Sequence, residues 1–230
     1  NTTYQAQVSQ RGTSLQVVQG KVPFLIPLRV HVQIHVPVNF AGDLTIESRS
    51  GSVLLAGLTS LNVVNLKVES GGARLAELRA NALSADIVSG GCELNRVQVT
   101  NQLGMLVKSG RLRLQRVTAG QFTISAISGT ITGAALVGGG SWTVKSGALK
   151  LDFDQIAGNV NLNAKRGSVK VVVPEDASYR YELEARSGRV VAPKNAQVTH
   201  YADGYQAGQV GSTGKYLIQG RTTSGTIRLF

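Results

Sequence analysis

The chain has 230 residues, a formal net charge of +11 at pH 7 and a pI near 10.2, with 42% apolar and 5% aromatic residues. This apolar fraction excludes wholesale disorder. The single cysteine, Cys92, excludes an intramolecular disulfide and a thiolate metal cluster. The longest apolar run, Val22 to Leu28, is too short to span a bilayer and is broken by proline. Val, Leu, Ile, Thr and Ser dominate, which predicts an all-β protein.

Residues 1–40 come before the repeated part of the sequence, and we expect them to form an N-terminal cap with the first strands. Within this segment, the run from Arg29 to Val36 alternates apolar and polar side chains. That alternation is typical of a β-strand, and Pro37 would end it.

Residues 41–192 carry a repeat in which a Ser-Gly dipeptide returns every 18 to 21 residues. The copies are Ser50-Gly51, Ser70-Gly71, Ser89-Gly90, Ser109-Gly110, Ser128-Gly129, Ser146-Gly147 and Ser187-Gly188, with Arg166-Gly167 filling the one missing position. The residue two places after each glycine is always apolar, and apolar residues continue to alternate on both sides. Each copy therefore reads as a strand, a glycine corner and a second strand.

A single copy of about 20 residues cannot bury enough apolar surface to fold alone, so neighbouring copies must stack. The sequence therefore predicts an all-β, single-domain parallel β-helix, or β-solenoid. We expect about nine or ten coils of roughly 19–20 residues each and a right-handed winding.

The regular spacing fails near the end of the chain, where the last glycine step is 37 residues, from Gly188 to Gly225. Residues 193–216 are predicted to form an inserted loop or hairpin, and residues 217–230 the last coil. If the coils stack in sequence order, the coil ending at Phe230 is terminal. Its free edge would then allow edge-to-edge pairing into a homo-oligomer.

Three stretches resemble the bacterial DUF4097 adhesin family: Ile34 to Val53, Val171 to Tyr179 and Ile218 to Leu229. The resemblance extends over about residues 30–230. It implies a parallel β-helix in a cell-surface or envelope protein, with no catalytic residues to carry over. The chain starts at Asn1 rather than Met, so we expect an extracytoplasmic protein whose export signal or anchor lies upstream.

Basic side chains recur at two outward positions of the repeat. The ligand-binding candidates are Lys108, Lys145, Lys165 and Arg186, two residues before the glycine, and Arg113, Lys150 and Lys170, three residues after it. We expect Lys145, Lys165 and Arg186 to form one ladder, with Lys150 and Lys170 across the corner. Such a ladder would suit an anionic glycan, another envelope polymer or lipid head groups. The alternative is that these lysines only keep an exposed sheet soluble.

No catalytic residues are predicted. The three histidines, His31, His35 and His200, lie in no nucleophile motif, and no cofactor is implied. Asp152 and Asp154 share one strand face and are a weak metal candidate, because neighbouring coils add no acidic side chain to them. Nucleic acid is disfavoured, because aromatic platforms for stacking bases are missing from the basic faces.

Three functions remain open on the sequence. The leading one is a non-enzymatic, adhesin-like scaffold of the cell surface or envelope that binds anionic polymers. The second is a β-helix carbohydrate-active enzyme, a lyase or hydrolase, which would require acidic and basic side chains clustered in one outer groove. The third is an envelope-stress regulatory module, which the family resemblance permits.

Overall fold

The computed structural model describes residues 6–19 and 31–230. The chain divides into two compact units, Asn1–Pro37 and Val38–Phe230. The strands are β1 (Ala6–Arg11), β2 (Ser14–Gln19), β3 (Leu44–Ala56), β4 (Leu61–Val172), β5 (Tyr179–Val191), β6 (Gln197–Ala202), β7 (Tyr205–Val210) and β8 (Tyr216–Leu229). None of the described residues belongs to a helix long and apolar enough to cross a membrane.

The first unit contains one antiparallel hairpin, in which β1 pairs with β2 from Ala6↔Gln19 to Arg11↔Ser14. Gly12 has a φ of 58°, which fits a tight two-residue turn between the strands. The strand predicted over residues 29–36 was wrong for the part that the structure describes, since residues 31–37 are not in a strand. Val32 and Ile34 are exposed there. Alternation alone does not make a strand when no neighbouring strand supplies the hydrogen bonds.

The second unit is one six-stranded sheet in the order β3-β4-β8-β5-β7-β6. β3 pairs with β4 in parallel, and β8 pairs in parallel with both β4 and β5. β4 runs through 112 residues because it bends at each corner without losing its ladder. The all-β prediction is confirmed, and the unit is a long, solenoid-like sheet in which successive turns of the chain lie on one another.

The predicted glycine corners stack into one column of backbone contacts. Its order is Gly51, Gly71, Gly90, Gly110, Gly129, Gly147, Gly167, Gly225 and Gly188, and each glycine gives its name to a layer of the stack. All nine have φ between 106° and 158°. A methyl group built on Gly167, for example, would overlap the carbonyl oxygen of Gly147. The close approach of one backbone to the next therefore requires glycine at this position.

The layers do not stack in sequence order, and this prediction was wrong. β8 lies between the last turn of β4 and β5, with Gly225 paired to Gly167 on one side and to Gly188 on the other. The coil that ends at Phe230 is therefore interior, and its two edges are unavailable for edge-to-edge pairing. After Val172 the chain skips one layer and forms β5. It then returns as β8, which fills the layer between the end of β4 and β5.

Residues 193–216 form the expected hairpin, but at the end of the stack rather than within it. β6 and β7 pair antiparallel around Gly204, and β7 pairs antiparallel with the first half of β5, from Tyr179↔Val210 to Glu184↔Tyr205. The hairpin thus covers half of the open edge that β5 would otherwise present, and β6 becomes the outermost strand of the sheet.

The core is the inner surface of the stack, and the predicted inward column is confirmed. The residues two places after each glycine are buried from Ala73 to Ile227 and half-buried only in the two end layers, at Val53 and Val190. Gly133 interrupts the next inward column. A methyl group there would lie 2.6 Å from Leu136 Cδ1. Leu136 therefore fills the space that a side chain at position 133 would occupy.

A second corner was not predicted, because glycine marks it only once. Six residues after the column glycine, the chain takes up the left-handed conformation at Gly57, Glu77, Arg96, Arg116 and Ala135, with φ of 53° to 76°. This conformation is strained for residues with a Cβ. The next layer lacks this corner, since Phe153 occupies the equivalent position as a buried strand residue.

Candidate functional site

Side chains at equivalent positions of adjacent layers are direct neighbours on the outside of the stack. Arg74 and Glu93 both lie three residues after their column glycines, and their Nη2 and Oε2 atoms are 2.8 Å apart. Arg96 and Glu77, at the second corner of the same two layers, form another ion pair. The repeat therefore determines which outward side chains can meet.

In the Gly147, Gly167 and Gly225 layers the same position carries only positive charge, and the Gly188 layer beyond them has Val191 there. Lys150, Lys170 and Arg228 lie three residues after Gly147, Gly167 and Gly225, and all three side chains are exposed. Lys170 pairs directly with Arg228 in the parallel register. No ion pair to any of the three is found among the described residues. We call these three residues the basic column.

The predicted ladder on the other side of the corner is only partly formed. Lys145 and Lys165 lie in the adjacent Gly147 and Gly167 layers, as expected. Arg186 does not follow Lys165, because the inserted β8 places Thr223 between them. Arg186 instead lies 3.9 Å from Glu184. The ladder prediction was wrong for Arg186 for the same reason that the stacking order was wrong.

Lys108 and Arg113 are exposed but stand apart from the other candidates. Both belong to the Gly110 layer, and the next layer has Ile127 and Thr132 at the equivalent positions. One uncharged layer therefore separates them from Lys145 and Lys150.

Two basic residues near these lysines were not among the candidates. Arg166 occupies the corner itself, beside Gly167, where the other layers have Ser, and it is exposed. Its departure from the Ser-Gly pattern was the available signal. Arg221 lies on β8 between Asn163 and Glu184, with its Nε 3.6 Å from Glu184 Oε2. It could not be found without knowing where β8 inserts.

The outer face before the corner is polar at three successive outward positions in each of the last four layers. The column two residues before the glycine contains Lys145, Lys165, Thr223 and Arg186. The column four residues before it contains Thr143, Asn163, Arg221 and Glu184. The column six residues before it contains Ser141, Asn161, Gln219 and Glu182. We call these twelve residues the polar grid.

Two adjoining depressions lie on the polar grid and share Asn163 and Arg221. One, of about 250 Å³, is also lined by Glu184, Arg186 and Thr223. The other, of about 220 Å³, is also lined by Ser141, Thr143, Asn161 and Gln219. Each combines residues from β4 with residues from β8, so the insertion of the C-terminal strand builds both.

Asp152 and Asp154 are exposed on the strand that follows Lys150, with buried Phe153 between them. In the described part of the chain they join no group of three or more His, Cys, Asp or Glu side chains that could hold a metal ion. Lys170, in the next layer, has its Nζ 5.2 Å from the centre of the Phe230 ring.

The strongest pKa shifts belong to buried groups away from these faces. Burial raises the pKa of the Cys92 thiol to about 12, and the charge of Glu93 adds to the effect. Burial also raises the pKa of Tyr179 to about 12, with a further contribution from Tyr181.

Trp142 is fully buried between Phe122 and Phe153, with ring centres 5.0 and 6.4 Å away. These groups belong to the core.

The stacked layers and their glycine column correspond to a known sequence family. The chain matches the Toastrack DUF4097 family over residues 5–229. The protein belongs to this family. The match confirms the resemblance that the repeat had suggested.

Comparison with curated proteins and with solved structures gave no match. For this Toastrack domain, therefore, the case for a function depends on its own outer faces.

Proposed function

We propose that this Toastrack domain is a non-catalytic, extracytoplasmic scaffold of the cell surface or envelope that binds anionic polymers. The observation that carries the proposal is the basic column, Lys150, Lys170 and Arg228, which stacks three positive charges in adjacent layers. Lys145, Lys165 and Arg166 extend the positive surface around the corner. The net charge of +11 favours the same class of partner.

The basic column does not stabilise the fold by itself. Adjacent layers are about 5 Å apart, and two like charges at that distance repel by roughly 1 kcal/mol in water. The Arg74–Glu93 pair shows that the same position can carry compensating charges. The basic column has no negative side chain among the described residues to neutralise it, so a bound anion would reduce the repulsion between its three charges. A linear polyanion lying along the direction of stacking could contact all three.

The test is a binding measurement on Lys150→Glu/Lys170→Glu. The probes are polygalacturonate, poly-glutamate and vesicles containing phosphatidylglycerol, each at 50 and 200 mM NaCl. The matched control is Lys67→Glu/Arg79→Glu, which makes the same charge change at exposed positions of the early layers. We expect the column variant to lose at least about tenfold in affinity, the control to lose much less, and salt to weaken the wild type.

Equal losses in the two variants would mean that only net charge matters, and the basic column would then not be the site. Absence of binding to all three probes would reject the proposal. Binding to the vesicles alone would assign the column to lipid head groups rather than to a polymer.

A carbohydrate-active enzyme is the second candidate, and one observation favours it. Glu184 lies between Arg186 and Arg221 in a depression that Asn163 also lines. Glu182 is two residues away on the same strand face, about 7 Å along the strand, which falls within the carboxylate separations that inverting glycosidases use. Release of reducing ends or unsaturated sugars from polygalacturonate, abolished in Glu184→Gln, would establish an activity. Intact polymer after prolonged incubation would reject it.

We also propose that the stack is a right-handed parallel β-helix. Parallel connections within one sheet are right-handed in nearly all proteins, because the twist of the strands favours that hand. An experimental structure in which the path of the chain can be traced between adjacent layers would decide the hand.

A further inference from the structure

The polar grid is the largest outer surface of the stack that the basic column does not explain. Every one of its outward side chains can donate or accept a hydrogen bond, and none is apolar. The equivalent positions of the earlier layers include Val88, Leu106 and Ile127. The Gly51 and Gly71 layers are also polar at these positions, but the two depressions are lined only by residues of the last four layers.

Two amides of the grid, Asn161 and Asn163, differ from those of the early layers in what they contact, whereas a third, Gln219, donates to Glu182. Asn62 donates to Asp43, and Asn81 donates to Asn62, so these amides bond to one another and hold a turn together. Asn161 and Asn163 make no side-chain hydrogen bond to another described residue. Both are exposed on the face of a rigid sheet, so their donors and acceptors are available to a ligand.

The charges of the grid are mixed rather than uniformly positive. Lys145 and Lys165 lie along the edge next to the corner, and Arg221 lies between Asn163 and Glu184, 3.6 Å from the Glu184 carboxylate. Glu182 and Glu184 add two negative charges in the outermost layer. A ligand that matches this arrangement carries negative charge at intervals and hydroxyl groups between the charges. Polyphosphate offers charge without hydroxyl groups along the chain, and the grid has no aromatic side chain on which a nucleic-acid base could stack.

We propose that the polar grid binds the sugar units of an acidic polysaccharide, with its carboxylates against Lys145 and Lys165 and its hydroxyls against Asn161, Asn163 and Arg221. This deepens the proposed function, on which it rests, because it names the class of polymer. Positions on the grid repeat about every 5 Å between layers and about every 7 Å along a strand. An extended polymer can therefore contact several of its residues at once. The amides provide specificity, because a polymer without hydroxyl groups would leave the donors and acceptors of Asn161 and Asn163 without hydrogen-bond partners in the complex.

The experiment compares two polyanions and one charge-neutral variant. Wild-type protein, Asn161→Ala/Asn163→Ala and the control Asn65→Ala are titrated with polygalacturonate and with poly-glutamate, which lacks hydroxyl groups. Asn65 occupies the same column as Asn161, in the Gly71 layer. We expect the double variant to lose at least about tenfold in affinity for polygalacturonate and to bind poly-glutamate as the wild type does. The control should match the wild type with both probes, and thermal unfolding should show all three proteins folded.

The outcomes separate this inference from the proposed function. If polygalacturonate and poly-glutamate bind equally and the double variant changes neither, the protein binds polyanions by charge alone and the inference is overturned. If neither polymer binds, both the inference and the proposed function fail. If the double variant weakens both polymers equally, the amides do not recognise hydroxyl groups, and the inference fails as well.

Discussion

The five layers from Gly51 to Gly129 and the four layers of Gly147, Gly167, Gly225 and Gly188 share one glycine column but differ on their outer surfaces. Three residues after the column glycine, the first group has a compensated pair, Arg74 with Glu93. In the second group, Lys150 is followed by two further positive charges. The left-handed second corner also ends with the first group, at Ala135.

The comparison teaches that the backbone contacts and the outer faces are under separate constraints. The glycine column is fixed by close approach of one layer to the next, and it continues unchanged through both groups. The outward side chains do not affect that contact, so they can serve either internal pairing or an external partner. The basic column and the polar grid, which carry the two proposals, both lie in the second group.

The largest effect is expected where the two groups are alike. Gly167→Ala would force a methyl group into the carbonyl oxygen of Gly147 at a φ of 141°, and we expect a loss of at least about 4 kcal/mol in the free energy of unfolding. Gly51→Ala, in the end layer, has nothing within 4 Å of the added methyl group. It should lose only about 1–3 kcal/mol, from backbone strain. Denaturant unfolding of both variants checks the difference, and similar losses would contradict the stacking contact.

The next effect tests the order of layers in the second group. Ser168 and Thr226 pair in adjacent strands, where Cα atoms about 5 Å apart suit a disulfide. Ser168→Cys/Thr226→Cys should therefore crosslink on oxidation and stabilise the fold by about 2–4 kcal/mol. Arg189 lies one layer beyond Thr226, so Ser168→Cys/Arg189→Cys should not crosslink. Non-reducing electrophoresis and mass spectrometry detect the crosslink. A crosslink in Ser168→Cys/Arg189→Cys but not in Ser168→Cys/Thr226→Cys would mean that the layers stack in sequence order.

A smaller effect is expected at alkaline pH and involves one group from each region. Cys92 and Tyr179 are neutral and buried in the folded state, with pKa values raised from 9.0 and 10.0 to about 12. The unfolded chain releases these protons first, so stability should be unaffected by them below pH 9 and should fall between pH 9 and 12. Tm measured from pH 8 to 11.5 shows the trend. Tyr179→Phe should flatten the part above pH 10, and an unchanged slope would exclude Tyr179 as a source.

The smallest effect distinguishes the two groups by its sign. Glu93→Gln removes the partner of Arg74 and should destabilise the protein by up to about 1 kcal/mol. Lys150→Gln relieves repulsion in the basic column and should stabilise the protein by a few tenths of a kcal/mol at low salt. Both differences should shrink at 1 M NaCl. Destabilisation by both substitutions would show that the basic column is compensated within the protein.

Much of the fold could be predicted from the sequence because the glycine column and the inward apolar column are local patterns. Each requires only the spacing between residues about 20 positions apart. The second corner could not be predicted, since Glu77, Arg96 and Arg116 carry no signal for a left-handed conformation. The insertion of β8 also could not be predicted from the sequence, because parallel strands with the same pattern can stack in more than one order.

The same reason limits the prediction of the candidate site. Lys145, Lys150, Lys165 and Lys170 were correctly placed in neighbouring layers because their coils are consecutive in sequence. Arg186 was misplaced because one layer from elsewhere in the chain separates it from Lys165. Arg221 could be linked to Asn163 and Glu184 only through that long-range pairing.

The insertion of β8 has a consequence for how the protein is made. A ribosome delivers the chain from the N-terminus, and the early layers can add to one another as they emerge. The outermost layer, on β5, is synthesised before the strand on which it rests. It reaches its final neighbours only when β8, the 14 residues from Tyr216 to Leu229, has been released. Until β8 is in place, the gap between the Gly167 and Gly188 layers stays unfilled and neither depression is formed.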